Sequence, residues 1–273
     1  MRRHRLLLSV ICGSALIGIL GIVAFARHNP EQTPATRAEG ALPPRDGSAV
    51  ALRQVGPTRQ EIITEFTKAS TGNVADAVDE ATGQRGFMYR DMKPVFKTKI
   101  MGPATTAVLR RVLKSDQRDY PNRQLEILDE SAAGSVLVYV LEDGLETAGI
   151  GNLMATTGKV RGLAGAVIDG GARDVEELEE IGFPVFSRSI TPSTSVGRYV
   201  SVSKNVPVTC AGVLVRPGDW IVGDRTGVVV VPVDKLAEVV KLLRQYDDKE
   251  TKMVAIIKEE KSMLKALAKY NRY

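Results

Sequence analysis

The chain has 273 residues, 44% hydrophobic and 25% charged, which is enough apolar material for one large or two small domains with a sizeable core. Its net charge of +5 sits at the two ends. Residues 1–26 hold three arginines and no acid, residues 249–273 carry a net +4, and the 222 residues between hold 27 basic and 29 acidic groups, which argues against a nucleic-acid-binding body. The only histidines are His4 and His28 and the only cysteines Cys12 and Cys210. The body therefore has no Ser-His-Asp triad, no Cys-His pair, no His-ligated zinc and no disulfide scaffold, and any metal there would be held by oxygen, as suits Mg²⁺, Mn²⁺ or Ca²⁺.

In chain order, a basic start (Arg2, Arg3, Arg5) leads into residues 6–26, a 21-residue run without charge. As a helix this run is roughly 31 Å long, enough to cross a bilayer. Its length favours an uncleaved signal anchor, whereas its end, Ala24-Phe25-Ala26, resembles a signal-peptidase site and favours a cleaved leader. Either places the body outside the cytoplasm, membrane-anchored or secreted. Residues 27–57 hold five of the thirteen prolines and read as a linker. The globular texture begins near Thr58.

The pattern predicts helices over 59–69 and 74–82, the latter after a Ser70-Thr71-Gly72-Asn73 turn, and strands over 95–100 and 135–141. A helix over 152–160, a buried strand over 164–168 and a helix over 175–181 follow. Strands over 200–203, 206–215, 220–222 and 228–231 then crowd together before a helix over 234–246. Helices alternate with strands early and strands gather late, so the expected class is α/β with a mixed sheet or sandwich. The lysine-rich stretch 252–270 has apolar residues at helical spacing. It reads as an amphipathic helix packing on a neighbouring subunit or, alternatively, lying on a membrane surface.

The stretch with the most chemical potential is 149–174, GIGNLMATTGKVRGLAGAVIDGGARD. Gly149 and Gly151 precede a helix whose first N–H groups, on Asn152, Leu153 and Met154, form a positive terminus suited to a carboxylate or enolate oxygen. Arg173 beside Asp174 offers a guanidinium for an α-keto acid and a carboxylate for a divalent cation. The same residues also admit a plainer account: Asn152 as an N-cap, Asp174 as N-cap with Glu177 at the third helical position, and Arg173 as a surface ion pair.

This stretch resembles the signature of the RraA-like family, which includes regulators of ribonuclease E activity and 4-hydroxy-4-methyl-2-oxoglutarate aldolases. The segments STGNVADAVD (70–79), MGPATT (101–106), FPVF (183–186), PVTCAGVLVRPGD (207–219) and GDRTGVVVVP (223–232) follow the family's order, so the resemblance covers about residues 60–250. It implies a compact swivelling-domain-like β/β/α sandwich over 58–250, assembled as a homotrimer or hexamer with sites at subunit interfaces. The implied activity is that of a divalent-metal-dependent lyase, a class II pyruvate aldolase or oxaloacetate decarboxylase acting on a short α-keto acid such as pyruvate or oxaloacetate. By the same resemblance Gly151, Asn152, Leu153 and Met154 offer backbone donors to the substrate, and Arg173 binds its carboxylate or keto oxygen. Asp174 ligates Mg²⁺ or Mn²⁺, and Glu250 from a neighbouring subunit corresponds to a further acid. The sequence departs from the aldolase pattern where Asn152 stands in place of an acid and Thr226 in place of a frequent Asp. A non-catalytic RraA-like binding or regulatory protein at the cell envelope is the alternative.

Overall fold

The computed structural model describes residues 56–113, 115–116 and 118–270, so the leader, nearly all of the linker and Cys12 lie outside the described residues. Helix α1 (Arg59–Lys68) starts at Thr58, whose side chain and that of Glu61 cap each other's backbone reciprocally. In α2 (Thr71–Thr82) Ser70 accepts from the Asn73 N–H, so the expected turn is the cap and first turn of the helix itself. Left-handed Gly83 ends it.

A mixed nine-stranded sheet follows, in the order β1-β6-β5-β3-β2-β10-β11, with β4 added to β5 and β7 to β2. Its centre is parallel: β2 (Ile100–Arg111), β3 (Val136–Leu141), β5 (Gly165–Ala172) and β6 (Val185–Ile190). Antiparallel strands β1 (Lys93–Pro94), β7 (Tyr199–Lys204), β10 (Trp220–Asp224) and β11 (Gly227–Val231) complete it. The two ends of the order approach each other, since Lys93 on β1 donates to the Thr226 carbonyl between β10 and β11, and the sheet is nearly a barrel. The α/β class with a mixed sheet is as expected.

Three apolar clusters hold this arrangement. One fills the inside of the sheet (Met92, Val138, Val167, Phe186, Ile221), and one lies between β10–β11 and helices α1, α2 and α6 (Leu236–Glu260). The third packs α3 (Arg123–Glu130), α4 (Asn152–Val160) and α5 (Val175–Ile181) on the parallel strands through Ile127, Ala155, Leu178 and Phe183.

Several elements differ from the sequence reading. Residues 95–99 are not strand; the long strand is β2, which runs from Ile100 through Gly102-Pro103 to Arg111. A Cβ on Gly102 would lie 2.3 Å from the Gly134 carbonyl oxygen, so close backbone approach, not a bend, demands glycine there. The strand expected over 206–215 is a hairpin of β8 (Val208–Cys210) and β9 (Val213–Val215), turned by Ala211 and Gly212, both at positive φ. The helix expected to end at Tyr246 continues to Glu260. The break falls at left-handed Lys261, before α7 (Met263–Tyr270). Among the described residues no helix is long and apolar enough to cross a membrane.

Candidate active site

Strand β4 (Ala148–Ile150) pairs in parallel with the end of β5, Ala148 beside Gly171 and Ile150 beside Ala172. The chain leaves β4 through Gly151 into α4 and leaves β5 through Arg173-Asp174 into α5. Two helix N-termini thus stand together at the carboxyl ends of parallel strands, where α/β sheets place their ligands. The Arg173 N–H donates to the Ile150 carbonyl at 3.2 Å and locks the two exits together.

Asp174 sits at φ 58°, ψ 46°, a left-handed conformation that costs a non-glycine residue energy. The sequence suggests that it caps its own helix, α5, with Glu177. It makes no side-chain cap there. The left-handed backbone aims the carboxylate across at α4, where Oδ2 accepts the Asn152 N–H at 3.0 Å. Gly151 leaves these side chains their place: a Cβ would stand 2.6 Å from Asp174 Oδ2 and 3.0 Å from Arg173 Nε and would displace them.

The first turn of α4 can then be accounted for donor by donor. Asn152 N–H goes to Asp174 and Ala155 N–H to the Gly151 carbonyl, while those of Leu153 and Met154 have no protein acceptor among the described residues. Among the described residues the Arg173 guanidinium has one ion-pair neighbour, Asp174 at 3.6 Å, and the side chain is 39% exposed. Gly151, Asn152, Leu153, Met154 and Arg173 border a cleft of about 590 Å³. Its walls are α4, the chain entering α3, and the segment from Thr194 to Ser201.

Gln124 on α3, which sequence reasoning misses, holds this cleft in shape. Its N–H donates to Ser201 Oγ at 3.0 Å, its Nε2 to the Gly149 carbonyl at 2.5 Å, and its carbonyl accepts the Tyr139 hydroxyl at 3.0 Å. No motif marks it, because its three partners are distant in sequence.

A second arginine site lies outside the cleft. Arg188 donates through Nε and Nη2 to Asp91 Oδ2 at 2.9 and 2.8 Å, and through Nη1 to Asp169 Oδ1 at 3.0 Å. Asp169 Oδ2 accepts the Ala211 N–H at 2.6 Å and so holds the β8–β9 turn. The Arg188 guanidinium keeps the Asp91 carboxyl below its ordinary range. Cys210 is fully buried nearby, and burial pushes its thiol up, away from nucleophile chemistry.

A family profile described as "RraA-like: Aldolase/RraA" matches residues 71–230, more than half of the chain. The chain belongs to the RraA-like family. A putative 4-hydroxy-4-methyl-2-oxoglutarate aldolase of Halalkalibacterium halodurans is 31% identical over 198 residues, covering 72% of this chain and 89% of that one. An uncharacterized protein of Methanocaldococcus jannaschii is 41% identical over 113 residues, and the match spans 41% of this chain and 53% of that relative's length. Among solved structures, an unusual member of the RNase ES inhibitor RraA protein family from Streptomyces coelicolor superposes with a TM-score of 0.63 at 28% identity, covering 72% of this chain and 96% of that one.

Within one chain this RraA-like fold brings Gly151, Asn152, Leu153, Met154, Arg173 and Asp174 together. Glu250 is elsewhere, on α6 against α2, where it accepts from Asn73 Nδ2 at 2.9 Å. Among the described residues no three His, Cys, Asp or Glu side chains converge as a metal cluster. The donor set is compatible with Mg²⁺ or Mn²⁺ only in a sparse form. Asp174 has one carboxylate oxygen committed to the Asn152 N–H, Asn152 adds a neutral amide, and water and substrate oxygens would supply the rest, as Mg²⁺ tolerates.

Proposed function

We propose that the cleft binds a short α-keto acid and that the protein is a carbon–carbon lyase of the pyruvate aldolase or oxaloacetate decarboxylase type. The observation that carries this reading is the pairing of donors without a protein acceptor among the described residues: the N–H groups of Leu153 and Met154 on the same cleft as an Arg173 guanidinium whose ion-pair neighbour there stands at 3.6 Å. An anion entering there meets a positive helix terminus and a charge-assisted partner together. The name of the Halalkalibacterium halodurans relative supports aldolase chemistry.

In this reading Leu153 and Met154 bind the substrate carboxylate through their backbones. Arg173 neutralises charge that grows on the keto oxygen as the carbon–carbon bond breaks. Asp174 fixes the first turn of α4 and, with Asn152, would hold a divalent cation, Mg²⁺ or Mn²⁺. Such an ion supplies Lewis-acid polarisation when bound.

A specific feature favours the second reading, a non-catalytic RraA-like binding protein: Asn152 carries no charge, and the one carboxylate present already caps a helix. Pyruvate release from oxaloacetate and from 4-hydroxy-4-methyl-2-oxoglutarate, with Mg²⁺ and with chelator, separates the two. The lyase reading expects turnover that chelator abolishes and that Asn152→Asp raises without tightening substrate binding. Inert protein and an inert Asn152→Asp variant that still bind pyruvate would establish the binding reading instead.

The proposal extends to assembly and location: a homotrimer or hexamer, held at a membrane or secreted through residues 1–26, with its body outside the cytoplasm. A C-terminal reporter active only outside the cytoplasm tests the location, and silence from a stable fusion refutes it.

A further inference from the structure

The cleft is larger and more apolar than a three-carbon acid needs. About 590 Å³ is a volume that houses most of a drug-sized ligand. Arg173 and the first turn of α4 supply part of its polar lining, and Arg118, Asn122, Thr194, Ser195 and Ser201 supply more. The same border also carries large apolar side chains left in water: Leu153 on α4 is 78% exposed, Val196 80% and Leu125 on α3 44%. They come from three separate elements and border one cleft, with Tyr120 and Val200 alongside. Exposed apolar groups clustered on a concavity are what a ligand's apolar part removes from water.

We infer that the natural substrate is a 2-oxo acid whose fourth carbon bears a hydroxyl and a bulky apolar substituent, of isobutyl or benzyl size, seated between Leu125, Leu153 and Val196. This rests on the keto-acid reading of the site and adds the second product to it. The C3–C4 bond breaks and its electron pair passes to C3 as the enolate of pyruvate. The C4 hydroxyl gives up its proton as C4 becomes the carbonyl of the released apolar aldehyde, and C3 takes up one proton. Atoms and charge balance with no oxidant and no water consumed.

The test is direct binding to the full chain of two non-cleavable probes, pyruvate and 2-oxo-4-phenylbutanoate, by NMR titration or calorimetry. The phenyl acid is expected to bind on the order of 10-fold or more tighter than pyruvate, the return on burying an apolar ring. Val196→Ser combined with Leu125→Ser should erase most of that advantage and leave pyruvate affinity unchanged. Both residues are exposed, which spares the fold. Equal affinity for the two probes, or an advantage that survives the double substitution, overturns the inference while leaving the keto-acid site standing. If neither probe binds, the keto-acid reading fails and takes the inference with it. If the double substitution leaves probe selectivity intact and lowers the solution mass by light scattering, the apolar rim is a contact between copies of this chain and the inference is overturned.

Discussion

Arg173 follows β5 and Arg188 lies within β6, its neighbour in the sheet, yet the fold treats them oppositely. Three nitrogens of Arg188 reach two aspartates at 3.0 Å or less, and Tyr89 lies 5.4 Å from its guanidinium carbon. Arg173 meets one carboxylate at 3.6 Å, and that carboxylate is already accepting an N–H. Arg188 joins four parts of the chain: the Asp91 loop, β5, β6 and, through Asp169, the β8–β9 turn. The strain at Asp174 keeps Arg173 and two helix donors facing a cleft. A guanidinium committed to the fold and one kept in reserve can thus be told apart by counting partners, which for Arg188 lie 19 and 97 residues away in sequence.

Breaking the committed site should have the largest effect on stability. Arg188→Ala leaves Asp169, 15% exposed, without its charged partner, and should cost about 2 kcal/mol in denaturant unfolding. This is below the fully buried value because Asp91 is 40% exposed. The pH response should be smaller and of defined sign. The Asp91 carboxyl is lowered from its ordinary 3.8 by the Arg188 hydrogen bond, so its contribution is fully present above that value. It is lost as pH falls through the depressed folded value. Unfolding measured between about pH 5 and pH 2.5 should therefore show a steeper acid loss in the natural protein than in Arg188→Ala; parallel profiles would detach Asp91 from stability. The smallest stability effect belongs to Arg173→Ala, within about 0.5 kcal/mol, because that side chain holds nothing closely.

How much of this could be read from the sequence depended on whether the cause was local. Helices α4 and α5 fall on the expected residues because their periodicity and flanking glycines are local signals. The β8–β9 hairpin does not, since left-handed Ala211 is anchored by Asp169, 42 residues away. At the site, the six clustered residues of 151–174 were visible as a motif. The destination of the Asp174 carboxylate was not, because a capping pattern looks the same whether the acid turns to its own helix or to its neighbour's. Gln124 and the Arg188 network were invisible for the same reason, as their partners meet only in the folded chain.

Pyruvate binding by the natural protein and by Arg173→Ala, each with its thermal melt, tests most directly whether Arg173 is kept for a ligand. A single charge-assisted contact of about 1.5–3 kcal/mol predicts binding weakened about 10–150-fold with the melt unchanged. Unaltered pyruvate affinity in Arg173→Ala, or a melt that collapses as it should for Arg188→Ala, would contradict it.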